Sequence, residues 1–204
     1  KTFAYITSSI ILILIISLRD GAALLDYQEY VNRFKNGSPV GMEPTFKLIV
    51  EFSKSVGGSS IIMFMAYSVI SVTARFFAIV KFAPFILYSF TVWASTFMLL
   101  HDMIQIRAAV AGALLLIIIP MAYQRKYLKA IILCLIAFLF HRSAILFILL
   151  IFIPKDTTRW IFWLSSLAIF IVLNICKINI LELLGLDQLF SEIQLIEGDI
   201  YAIR

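Results

Sequence analysis

The chain has 204 residues, 62% hydrophobic and 14% charged, with a mean hydropathy of +1.01 and a formal net charge of +5. Soluble domains are about half apolar and about a quarter charged, so this composition excludes a soluble globular fold. The apolar residues run in blocks near the ~20 residues that cross a ~30 Å hydrocarbon core, which predicts helices and excludes a β-barrel of short alternating strands. In chain order, residues 2–18 read as an anchor span, since no small-residue cleavage site marks a signal peptide. Residues 19–58 form a polar insert with ten charges, a turn signal at Asn36-Gly37-Ser38-Pro39 and an amphipathic stretch from Phe46 to Val56. The blocks 60–80, 82–100 and 103–122 follow as spans. Residues 127–154 make either one span of ~40 Å or two short helices, 127–140 and 143–154. A last block, 158–175, precedes an acidic tail, 177–204, whose apolar residues suit short helices on the membrane surface.

The expected fold is therefore an all-α polytopic transmembrane bundle, one membrane domain over 1–204 with about seven apolar segments, incomplete at both ends. Basic residues sit at span ends, where they set orientation, so no nucleic-acid partner is expected. The loop with Arg125, Lys126 and Lys129 carries three cations and no acid, which places it in the cytoplasm. Counting back, Arg75 and Lys81 lie inside, while His101, Asp102 and the 19–58 insert lie outside. The positive-inside rule favours a hairpin at His141-Arg142-Ser143, because that keeps Lys155 and Arg159 inside and the acidic tail outside. Cys134 and Cys176 both lie in apolar stretches and suit neither a disulfide framework nor a metal site. No metal or other cofactor is expected.

Ionisable side chains at membrane depth are costly, so each is a functional candidate. Three clusters fall on the outer side. The first holds Arg19, Asp20, Asp26, Tyr27 and Tyr30, with Asp26 and Tyr30 on one face if the segment is helical. Its plainer reading is a solvated loop with an Arg19–Asp20 pair. Glu43-Pro44 follows, and can simply start the helix that contains Phe46. The second cluster is His101, Asp102, Gln105 and Arg107. His101 and Gln105 share a face of a regular helix, and Gln105 and Arg107 serve one site only if the helix begins late. Arg107 sits about one turn inside the block, where it binds a ligand or snorkels to the headgroups. Ala108 and Gly112 form a small-xxx-small pair that predicts close packing on a neighbour. The third cluster is His141-Arg142-Ser143, in a segment otherwise uncharged from Ala130 to Pro154. Arginines and histidines gathered in one cavity suit an anionic ligand, since arginine reads phosphate bidentately. The chain has no Gly-rich phosphate loop, HExxH or GxSxG motif.

These clusters resemble the EpsG family of exopolysaccharide and O-antigen polymerases, of the kind called Wzy. The matching residues are Arg19, Asp26-Tyr27, Tyr30 and Glu43-Pro44-Thr45-Phe46. They continue with Gln105-Ile106-Arg107-Ala108-Ala109 and Phe140-His141-Arg142-Ser143-Ala144, the last after Lys126 to Lys129. Two departures stand out: Gly21-Ala22-Ala23-Leu24-Leu25 replaces a Gly-rich stretch, and Arg107-Ala108 replaces an Arg-Gln pair. The resemblance implies a metal-independent membrane glycosyltransferase of the C type, working at the periplasmic face of the bacterial inner membrane. It would transfer a polyprenyl-diphosphate-linked glycan to a lipid-linked repeat unit. The catalytic residues implied are His141, Asp26 and Arg107. Arg19, Tyr27, Tyr30, Glu43, His101, Gln105, Arg142 and Ser143 would contact diphosphate or glycan. Expected partners are the lipid-linked oligosaccharides, the bilayer, a flippase and a chain-length regulator. The competing reading is a multi-span transporter or lipid-binding protein for an anionic substrate, although no inverted repeat is visible.

Overall fold

The computed structural model describes residues 2–19, 25–37, 42–152, 163–166, 168 and 172. It divides into two units, Lys1–Ile153 and Pro154–Arg204. In the second, the described residues are helical; the 177–204 tail and most of the 158–175 block lie outside the described residues.

Among the described residues all regular structure is helical. The first unit runs α1 Thr2–Ser17, α2 Leu25–Asn36, α3 Pro44–Val56, α4 Ser60–Phe82 and α5 Ile86–Val92, which continues as a π-helix Trp93–Asp102. Then come α6 Ile106–Tyr123, α7 Tyr127–Phe140 and a 3₁₀ segment Arg142–Phe152. Of these, α4 and α6 are long and apolar enough to cross a bilayer, and shorter apolar helices accompany them.

Local chemistry sets the ends. α2 stops at Asn36, where Gly37 takes φ 91°, a region glycine enters without steric cost. Pro44 opens α3 at the position where its missing N–H costs nothing. Ser59 caps α4 by accepting from the Ile61 amide at 3.2 Å, and Pro84 follows the end of α4. α7 ends at Phe140, His141 is extended, and the 3₁₀ segment packs back on α7 and α6. The chain thus turns at His141, as the hairpin reading expects.

Side-chain contacts fix the relative depth of the helices. The first half of α4 packs on the insert: Phe64 meets Tyr30 of α2, and Tyr67 meets Phe46 of α3, with ring centroids 6.3 and 6.5 Å apart. Val72 and Ile79, in its second half, pack with Ile16 of α1. Ser71, midway along α4, bonds Asp102 at the end of the π-helix. Arg19, just past α1, bonds the carbonyl of the same Asp102. Thr45, at the start of α3, bonds the carbonyl of Leu139 near the end of α7. The end of α1, the end of the π-helix, the start of α3 and the end of α7 therefore lie in one layer level with the middle of α4.

That layer is recessed. α1 and α7, with 16 and 14 residues, reach only ~24 and ~21 Å, short of a ~30 Å core. α4, with 23 residues, reaches ~34 Å and projects past them, flanked by α2 and α3. α3 buries Phe46, Val50 and Ser53 and exposes Leu48, Phe52 and Val56 four residues apart. This exposed apolar stripe suits the boundary between headgroups and acyl chains. Ile6, Ile10 and Leu14 of α1 and Leu128, Ile132, Leu135 and Leu139 of α7 are likewise exposed, as lipid-facing positions should be. Inside, small residues let the helices approach: Ala109 and Ala113 of α6, Ala130 and Ala137 of α7 and Ala144 are buried. Cys134 is buried among them as a free thiol.

Three expectations change. α6 begins at Ile106, not 103, so Arg107 lies in its first turn and not one turn deeper. Residues 93–102 wind as a π-helix and the chain breaks before Ile106, so His101 and Gln105 share no helix face. Arg75, placed at an inner loop by its charge, lies within α4, 5% exposed and ion-paired with Asp102. The positive-inside rule reads flanking residues, whereas Arg75 is about two turns from the helix end.

Candidate active site

Arg107 is the centre of the recessed layer. Its Nη1 lies 2.5 Å from Glu43 Oε2 and its Nε donates to the Tyr30 hydroxyl at 3.4 Å. The guanidinium also stands over the Tyr30 ring, 5.7 Å from the centroid. With Met42 Sδ at 3.8 Å from Nη1, Arg107 is engaged by three partners from the insert, and does not extend free toward headgroups. Glu43 is the N-cap of α3, yet its side chain makes no capping bond. Its carboxylate, 7% exposed, is spent on Arg107 instead. Pro44 alone accounts for the helix start; Glu43 has a different task.

Two groups able to accept a proton flank this pair. Asp26 lies in the first turn of α2, where it senses the charges of Glu29, Arg107 and Arg33. Burial, and then the neighbouring Glu29, push its carboxyl above the ordinary carboxylate range. Arg33 pairs with Glu29 one turn away. His141, at the α7 turn, senses the charges of Arg107 and Glu43, and its buried Nδ1 has no hydrogen-bond partner among the described residues. Arg142 and Ser143 begin the 3₁₀ segment beside it, Arg142 partly buried and Ser143 exposed.

Arg19 packs against the same α2 face, next to Tyr27. Its guanidinium lies over Phe64, 4.3 Å from the ring centroid, and 5.9 Å from that of Tyr27, which itself stacks on Phe64 at 4.9 Å. Nη1 donates to the Ile16 and Asp102 carbonyls at 3.3 and 3.0 Å. Nε and Nη2 are buried without a hydrogen-bond partner among the described residues. Asp20, the expected partner, lies outside the described residues.

Sequence reasoning named Asp102 but missed the buried network built on it. The Asp102 carboxylate accepts from Ser71 Oγ, from Trp93 Nε1 at 3.1 Å and from Arg75 Nη1 at 3.2 Å. Arg75 Nη2 reaches the Ala109 carbonyl at 2.9 Å. One buried network thus ties α4, the π-helix and α6, and through the Asp102 carbonyl it holds Arg19. The signal was present: Arg75 interrupts an apolar block, which is the mark of a functional or structural charge.

The three sequence clusters are not equally brought together. Asp26, Tyr30, Glu43, Arg107 and His141 converge, with Arg19 and Tyr27 alongside. Gln105, the N-cap residue of α6, is exposed and makes no capping bond. His101 stacks on Phe97, at 5.8 Å, on a separate cavity. Among the described residues no three His, Cys, Asp or Glu side chains gather as a metal site.

A scan against family models matches the EpsG family over residues 2–196. Comparison with curated proteins and with solved structures gives no match. The match covers nearly the whole chain, and the helical apolar architecture agrees with a membrane protein. The chain belongs to the EpsG family, whose members are polysaccharide polymerases of the Wzy type.

Proposed function

We propose that this protein lengthens a glycan by metal-independent transfer from a polyprenyl diphosphate to a lipid-linked repeat unit, at the periplasmic face of the bacterial inner membrane. The observation that carries the reading is Arg107 in the first turn of α6, held by Glu43 and Tyr30 and within electrostatic reach of Asp26 and His141. In the reaction an acceptor hydroxyl attacks the anomeric carbon of the donor. The bond from that carbon to the diphosphate oxygen breaks, the diphosphate leaves with its polyprenyl chain, and a base takes the hydroxyl proton.

Charge builds on the departing diphosphate, and guanidiniums fixed in a low-dielectric layer stabilise it without reorganising. Glu43 and Tyr30 hold the Arg107 fork in one orientation. The positive end of the α6 dipole, at whose first turn Arg107 stands, adds to the same field. We assign the base to His141, with Asp26 the rival, the second phosphate contact to Arg142, and sugar contacts to Tyr27 and Ser143. The ligands are then the lipid-linked oligosaccharides and the bilayer, and a flippase and a chain-length regulator are the protein partners implied.

Cells lacking the gene should lose the ladder of long lipid-linked glycans and keep single repeat units; the wild-type gene should restore it. With His141 as base, His141→Gln keeps hydrogen bonding but abolishes elongation, while Asp26→Asn only weakens it. The reverse pattern transfers the role to Asp26. An unchanged ladder in the deleted strain contradicts the polymerase reading and favours a transporter or lipid-binding protein.

A further inference from the structure

An arginine carries its N–H donors in a planar fork that can take two oxygens of a carboxylate or phosphate at once. Arg19 spends one nitrogen on its own anchoring. Nη1 donates to the Ile16 carbonyl at 3.3 Å and to the Asp102 carbonyl at 3.0 Å. The face of the guanidinium lies over Phe64, 4.3 Å from the ring centroid. The ring fixes the plane, and the two carbonyls fix the rotation within it. Nε and Nη2 are left over, both buried and without a hydrogen-bond partner among the described residues. The direction of that free edge therefore depends on where the Asp102 carbonyl stands.

The place of Asp102 is set by a distorted helix. Trp93 and Asp102 are nine residues apart, ~2.5 turns of a regular α-helix, which would put them on opposite faces. Here the turns are widened by i→i+5 bonds, as from the Met103 amide to the Met98 carbonyl at 3.0 Å, and the two side chains meet. A π-helix of ten residues is rare, and such distortions gather at functional sites. Ser71 and Arg75, one turn apart on α4, hold the same carboxylate. Arg75 also reaches the Ala109 carbonyl, two residues past Arg107 in α6. It thus refers the seat of Arg19 to the helix that carries Arg107. Tyr30 accepts from Arg107 and lies within electrostatic reach of Arg19, so the two guanidiniums share a neighbour. A buried ion pair adds little net stability over apolar residues of the same volume. What this pair supplies is alignment.

Resting on the polymerase reading, we propose that Asp102 and Arg75 are positioning residues. They hold the free edge of Arg19 in register with Arg107, so that the two guanidiniums take one diphosphate between them. Neither Asp102 nor Arg75 touches the ligand; both act through Arg19.

The experiment compares binding of a polyprenyl diphosphate and of the polyprenyl alcohol of equal length to the whole protein in nanodiscs. The double variant Asp102→Asn, Arg75→Met removes one charge of each sign and leaves Arg19 and Arg107 in place. It should hold the diphosphate about tenfold more weakly and the alcohol as wild type does, even where its thermal stability matches wild type. Arg19→Lys keeps the charge and loses the fork, and should weaken diphosphate binding by a similar factor. Adding Arg19→Lys to the double variant should cost little more, because the network acts through that fork. Losses that multiply would show a general structural effect and overturn the proposal, as would wild-type affinity in the double variant. Should the double variant fail to fold, Trp93→Phe removes a single donor to Asp102 and keeps a ring beside Arg75. It should show the same pattern with a smaller, several-fold loss, and unchanged affinity would overturn the proposal. A wild-type protein that binds diphosphate and alcohol alike refutes the polymerase reading and this inference with it. A wild-type preference for the diphosphate, with losses that multiply, refutes this inference alone.

Discussion

The Asp102 carboxylate is buried and takes three donors, two of them from α4, while its main-chain carbonyl holds Arg19. Removing one member of such a buried pair leaves a charge without compensation, at a cost of about 3–5 kcal/mol. Asp102→Asn should therefore lower the thermal stability of the detergent-purified protein markedly. The double variant Asp102→Asn, Arg75→Met should recover much of the loss, because it also removes the orphaned guanidinium. Equal stability of Asp102→Asn and wild type would show that the pair contributes nothing. Residue chemistry was only partly legible in the sequence. Arg107, Glu43, Tyr30 and Asp26 were candidates because each is an ionisable or phenolic group next to apolar blocks. Their mutual contacts were not legible, since Glu43 and Arg107, 64 positions apart, are brought together by tertiary packing.

Elements were read more fully than contacts. Apolar blocks marked α1, α4, α6 and α7 to within a few residues, because bilayer thickness sets block length and lipid enforces helix. Pro44 and the 46–56 periodicity marked α3. Two features escaped. The π-helix Trp93–Asp102 shifts the side-chain register by adding residues to each turn, and no composition signal announces it. α2 was a helix only conditionally, as its polar composition hides the face made by Tyr27, Tyr30, Val31 and Phe34. That face and α3 form the wall that carries Glu43. Phe46, fully buried between Tyr30 and Tyr67, pins this wall to α4. Phe46→Ala should cost about 3–5 kcal/mol and, by loosening Glu43, reduce elongation beyond the loss of protein from the membrane. Elongation that falls only in proportion to protein level would show that the wall does not position the site.

Within the first unit, the short α1 and α7 beside a long α4 set the polar layer level with the middle of α4, on the half where the insert packs. The topology expected from charge places that side outside. Cysteines substituted for Ser38 and Glu192 should react with an impermeant thiol reagent in intact spheroplasts; protection of either contradicts the hairpin topology. The central claim, that Arg107 binds the diphosphate and is more than a packing element, has a more direct test. Arg107→Lys keeps the charge near Glu43 and loses the planar fork. The account predicts a loss of elongation of about 10²-fold or more, read as collapse of the lipid-linked glycan ladder, with wild-type amounts of protein in the membrane. A wild-type ladder in cells whose only copy is Arg107→Lys would contradict it.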